Sequence, residues 1–153
     1  MPNIEKAAVL LVDDNEATRT LLIALLHRDF QVDSASDGME AIEKLRTKQY
    51  ASILLDLRMP QQDGFGVLEF LKANSPDRLR TVLVVTALLT KNEIERARAF
   101  GICGIISKPF DVEDLVGAVK QCVSDTGGKL GNVFCTSTPM ILLIADLLRQ
   151  RLG

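Results

Sequence analysis

Four short apolar runs of this chain each stop at a residue that can do chemistry. Val9-Leu10-Leu11-Val12 ends in Asp13-Asp14, Ile53-Leu54-Leu55 in Asp56, Val82-Leu83-Val84-Val85 in Thr86-Ala87, and Ile105-Ile106-Ser107 in Lys108-Pro109. If these ends converge, three carboxylates meet one ammonium and one hydroxyl. Two unit charges 4 Å apart repel by roughly 4 kcal/mol at an effective dielectric of 20. A further cation is required. A divalent metal with hard oxygen ligands fits, and Mg2+ takes carboxylates together with waters and phosphate oxygens. An anionic nucleophile, a metal, an ammonium and a hydroxyl together equip a site for phosphoryl transfer to a carboxylate, because the cations neutralise charge developing on oxygen.

Convergence demands a particular fold. The runs at 7–12, 30–35, 52–55, 81–85 and 104–106 are short and rich in Val, Ile and Leu, as suits strands covered on both faces. Between and after them lie helical stripes: Leu21, Leu22, Leu25 and Leu26; Met39, Ile42 and Leu45; Val67, Leu68 and Leu71; and Val112, Leu115, Val116, Val119 and Val123. Helix starts are marked by Asp37 before Glu40, Thr90 before Glu93 and Asp111 before Asp114. Five strands alternating with five helices predict an α/β fold with a parallel sheet covered on both sides. Ligands of such sheets bind beyond the carboxyl ends of the strands, which is where the polar residues stand.

The whole chain limits the functions available. Its 153 residues, 47% of them apolar and 25% charged, make an ordinary globular mixture rather than a disordered one. A net charge of −2 argues against a dedicated nucleic-acid surface. No apolar run approaches the roughly 20 residues that span a bilayer. Residues 1–6 lack the basic-then-apolar plan of a signal peptide, so the expected location is the cytoplasm. Three cysteines, Cys103, Cys122 and Cys135, are an odd number without CxxC spacing. Neither a disulfide framework nor a zinc knuckle is expected from them, and Cys103 and Cys122 are expected to pack as small apolar groups. His27, the single histidine, is expected at the surface near a helix end.

On these motifs the chain resembles the receiver domain of two-component response regulators. The matching segments are Val12-Asp13-Asp14-Asn15, Leu55-Asp56-Leu57-Arg58-Met59-Pro60 with Asp63-Gly64 behind it, Val85-Thr86-Ala87, and Lys108-Pro109-Phe110, within residues 6–124. The resemblance implies a flavodoxin-like doubly wound sheet of five strands in the order 2-1-3-4-5. It implies that Asp56 accepts a phosphoryl group from a histidine kinase or phosphotransfer protein. Asp14 would then bind Mg2+ directly, Asp13 mainly through water, and the Arg58 carbonyl would be a further metal ligand, with Asp56 completing the metal set. Thr86, the Ala87 amide and Lys108 would hold phosphoryl oxygens, and the Lys108–Pro109 bond would be cis. Arg58 and Leu88 would stand at the rim where water approaches. One position departs from the family pattern. Ile105 stands where a Tyr or Phe is usual, so the switch formed by Thr86 and Ile105 has no aromatic ring to turn.

Two other functions are the alternatives. A haloacid-dehalogenase-like phosphatase also combines an aspartyl nucleophile, Mg2+, Thr or Ser and Lys, but its nucleophile follows the first strand in an Asp-x-Asp motif. A scaffold independent of phosphorylation would need none of these groups. Beyond the receiver pattern at 1–124, residues 125–139 are expected to form a flexible linker. Residues 140–153 are expected to form an extra apolar helix that docks on a receiver or pairs two copies as a homodimer. The remaining expected partner is a downstream protein target, not DNA or a membrane.

Overall fold

The computed structural model describes residues 6–59, 64–87 and 89–125. Five strands and five helices alternate: β1 Ala8–Val12, α1 Glu16–Leu26, β2 Gln31–Ala35, α2 Gly38–Thr47, β3 Ser52–Leu55, α3 Gly64–Asn74, β4 Val82–Thr86, α4 Lys91–Ala99, β5 Gly104–Ser107 and α5 Val112–Asp125. All strand pairs are parallel, and the sheet order is β2-β1-β3-β4-β5. This is the flavodoxin-like order expected. The extra helix at 140–153 and the linker before it lie outside the described residues, as do Pro60, Asp63 and Leu88.

Alternation along the strands divides the core in two. Leu10, Val12, Ile53, Leu55, Val82 and Val84 pack with the buried sides of α2 and α3 and with Ala97 of α4. Their neighbours Val9, Leu11, Leu54, Leu83 and Val85 pack on the other face against Leu22 and Leu26 of α1 and Leu115, Ala118 and Val119 of α5. A side-chain period of two sends successive residues to opposite faces, so a continuous apolar run serves both layers. The sheet-edge strand β2 (Gln-Val-Asp-Ser-Ala) is the exception, and of its residues only Ala35 is fully buried.

Helix starts follow local chemistry. Asn15 accepts from the Thr18 amide at α1, and Asp37 accepts from the Glu40 amide at α2. Thr90 and Glu93 close a reciprocal capping box at α4. Asp111 instead receives the Glu113 amide, 2.9 Å away, before α5. A 3-10 turn at Pro76–Thr81, with no signal in the apolar pattern, enters β4. Its Arg78 donates to the Leu45 and Lys48 carbonyls and so satisfies the end of α2.

The cysteines correct the sequence expectation. Cys103 and Cys122 form a disulfide, with 6.3 Å between their Cα atoms. Spacing along the chain could not reveal it, because the fold makes the pair. Cys103 immediately precedes β5, while Cys122 lies on the stripe by which α5 covers the sheet.

Candidate functional site

The site lies at the carboxyl ends of β1, β3, β4 and β5. Asp13 follows β1, and its amide donates to the Ala35 carbonyl at 3.2 Å, which continues the sheet one residue further. Its carboxylate accepts from the Asn15 amide at 2.9 Å, and its carbonyl accepts from the Arg19 guanidinium at 2.8 Å. Asp56 follows β3 and is held through its amide by the Val12 carbonyl at 2.9 Å. Lys108 follows β5, and its amide donates to the Thr86 carbonyl at 2.9 Å. Backbone pairing thus fixes each functional residue against the neighbouring strand.

Side chains complete the arrangement. Asp56 Oδ1 accepts from the Thr86 hydroxyl and from the Arg58 amide, both at 2.9 Å. Asp56 Oδ2 accepts from Lys108 Nζ at 3.2 Å, while the same ammonium donates to Asp13 Oδ2 at 2.6 Å. Oxygens of Asp13, Asp14 and Asp56 lie within 4.8 Å of one another. Asp13 and Asp56 are only 2% and 6% exposed, whereas Asp14 is exposed at the mouth. Burial lowers the proton affinity of the Lys108 ammonium, but the bonds and charges of Asp13 and Asp56 outweigh it, and its pKa rises above the ordinary lysine value. One ammonium against three carboxylates leaves the cluster short of positive charge. A set of hard oxygen donors open to solvent on one side fits Mg2+.

The structure therefore brings Asp13, Asp14, Asp56, Thr86 and Lys108 to one point, with Ala87 following Thr86 at the rim. The Lys108–Pro109 bond is cis. Two other residues singled out in the sequence border this cluster. The Arg58 side chain pairs with Glu93 of α4, 3.2 Å away, while its backbone amide donates to Asp56. Ile105 is 8% exposed and belongs to the core layer shared with α2, α3 and Ala97, without a polar atom to offer the site.

Gly64 carries a role that only the three-dimensional structure defines. A Cβ there would stand 2.5 Å from the Asp56 carbonyl and 2.6 Å from the Leu57 Cα. The first residue of α3 must be glycine for the helix to close behind the Asp56 loop. A glycine at a helix start was the available signal, but the close approach could not be read from it. The support of Asp13 by Arg19 had no signal, since six residues separate them.

The family model described as the response regulator receiver domain matches residues 9–120. Over 118 residues the chain is 30% identical to a probable chemotaxis protein CheY of Rhizobium etli, covering 76% of this chain and 92% of that one. The transcriptional regulatory protein PdtaR of Mycobacterium tuberculosis is also 30% identical over 118 residues, but there the match covers 76% of this chain and only 56% of that one. Among solved structures, the chemotaxis protein CheY4 of Vibrio cholerae is similar with a TM-score of 0.70 and 28% identity, covering 76% of this chain and 98% of that one.

Proposed function

The chain belongs to the response regulator receiver family, and on that premise we propose that it is a Mg2+-dependent phospho-switch in which Asp56 takes a phosphoryl group from a histidine kinase or phosphotransfer protein. The observation that carries this reading is the pair of donors on Asp56. Thr86 Oγ1 and Lys108 Nζ approach opposite oxygens of one buried carboxylate, at 2.9 and 3.2 Å. In the transfer, an Asp56 oxygen attacks phosphorus as the bond to the donor nitrogen breaks, and the leaving imidazole takes up a proton. Asp13, Asp14, Asp56 and the Arg58 carbonyl would hold Mg2+, which would supply charge neutralisation at the phosphoryl oxygens. Lys108 and Thr86 exchange a carboxylate oxygen for a phosphoryl oxygen, joined by the Ala87 amide. Donors already aimed at the acceptor need little rearrangement to meet the developing charge.

The chemistry ends with the chain modified, so it is a signalling switch whose only reactions are its own phosphorylation and dephosphorylation. Thr86 and Ile105 carry the output. Because Ile105 fills core space without a hydroxyl, its part is a packing change rather than a new hydrogen bond. Residues 1–124 form the receiver, 125–139 a linker and 140–153 an apolar segment that docks or pairs two copies. We place the protein in the cytoplasm, where it would meet its kinase and a downstream protein target. No helix among the described residues is long and apolar enough to cross a membrane.

Incubation with acetyl phosphate and Mg2+ separates the possible functions. A receiver gains one hydroxylamine-labile phosphoryl group per chain. Continuous release of phosphate at a rate typical of enzymes would indicate a phosphatase, and no reaction at all a scaffold.

A further inference from the structure

The fold contains a second pair of reactive groups, remote from Asp56. Cys103 lies just before β5, where its amide donates to the Val82 carbonyl at 2.7 Å, at the amino ends of β4 and β5. Lys108 and Thr86 stand at the opposite ends of those strands. Cys122 lies in the last turns of α5 and is 0% exposed, whereas Cys103 is half-buried. Cys122 belongs to the apolar core layer that also holds Val9, Leu83, Leu115 and Val119, surroundings in which a reduced cysteine packs as a small apolar side chain. Leu115, Ala118 and Val119 already hold α5 on the sheet without help from sulfur.

We propose that Cys103 and Cys122 form a reversible thiol–disulfide site whose reaction partner is a low-molecular-weight disulfide, with Cys103 as the entry thiol and Cys122 as the resolving thiol. The Cys103 thiolate attacks one sulfur of the small disulfide, which forms a mixed disulfide and releases one small thiol. The Cys122 thiolate then attacks the Cys103 sulfur and releases the second. Two protein thiols lose two electrons, and one small disulfide gains them; the two protons leave with the small thiols. Exposure sets the order, since Cys103 is the less buried of the two. Oxidation pins the end of α5 to the base of β5. In a reducing compartment the resting state is the dithiol, a point that rests on the cytoplasmic placement proposed above; the exchange chemistry does not.

The test uses the full chain with Cys135→Ser, reduced and then exposed to oxidised glutathione. Intact mass should show a crosslinked product that has lost two hydrogens and carries no glutathione. Cys122→Ser should retain one glutathione on Cys103, and Cys103→Ser should take none while folded. Cys122→Ala serves if a serine hydroxyl in the apolar lining prevents folding. Closing a loop of this length should raise the melting temperature by about 10 °C relative to the reduced form, and the reduced form should still melt cooperatively. The proposal is overturned if reduction unfolds the chain at room temperature, if the folded dithiol does not crosslink, or if the buried thiol takes the adduct. A chain that crosslinks yet accepts no phosphoryl group would refute the phospho-switch and leave this site standing.

Discussion

At the scale of single residues, charge balance explains the site. Asp13, Asp14 and Asp56 share one ammonium, so the metal-free site holds an uncompensated negative charge. Mg2+ should therefore raise the melting temperature by mass action. Asp14→Asn should stabilise the metal-free protein by up to about 1 kcal/mol, by removing one repelling charge, and should abolish most of the Mg2+ effect. Melting curves with and without millimolar Mg2+ check this; equal Mg2+ responses in the two proteins would contradict it. A second residue offers a clean optical probe. Tyr50 is the only tyrosine, and the chain has no tryptophan. Burial and then the hydrogen bond to Asp33 push its phenol well above the ordinary value of 10.0. A raised folded-state pKa means the fold favours the protonated form, so this contribution to stability is complete below pH 10 and is lost as pH climbs beyond it. Tyrosinate absorbance should stay low above pH 10 until circular dichroism reports unfolding. An ordinary titration near pH 10 in folded protein would contradict the burial of Tyr50.

At the scale of elements, the strands deliver the functional residues and the helices brace them. Gly64 shows the tolerance involved. In Gly64→Ala the new methyl meets backbone atoms of Asp56 and Leu57, which cannot rotate aside. α3 must move, at a cost of about 1–3 kcal/mol, and Asp56 moves with it. Chemical denaturation should show that loss, and phosphorylation by acetyl phosphate should slow several-fold. Wild-type stability and rate together would show that the contact is slack. The elements were legible where periodicity was strong. β1, β3 and β4 bury both faces, so their apolar runs stood out, and their polar ends marked the site. The acidic-pair caps at α2 and α4 were equally legible. The edge strand β2 was legible at 30–35 although it is mostly half-exposed, whereas the 3-10 turn before β4 carries no comparable pattern. The Cys103–Cys122 bond and the turn of Arg58 toward Glu93 depend on which elements become neighbours, information that only the sheet order supplies.

At the scale of the whole molecule, one layered sheet holds the acidic site at the carboxyl ends of its strands and the Cys103–Cys122 disulfide toward their amino ends. The apolar segment 140–153 adds a question of assembly. Its large apolar side chains, left in water, would each forgo roughly 1.5–3 kcal/mol relative to burial, so the segment should find a receiver surface or a second copy. Light scattering should give a dimer for the full chain and a monomer for a chain ending at Asp125; monomers of equal stability in both cases would make the segment a linker only. The proposed phosphoryl acceptor is one carboxylate, Asp56. The direct measurement is borohydride trapping of the acyl phosphate after reaction with acetyl phosphate and Mg2+, followed by peptide mass spectrometry. The expected result is a single reduced site at position 56, absent from Asp56→Asn and from protein treated without Mg2+. Trapping at Asp13 or Asp14 in the wild-type chain, or undiminished labelling of Asp56→Asn, would contradict it.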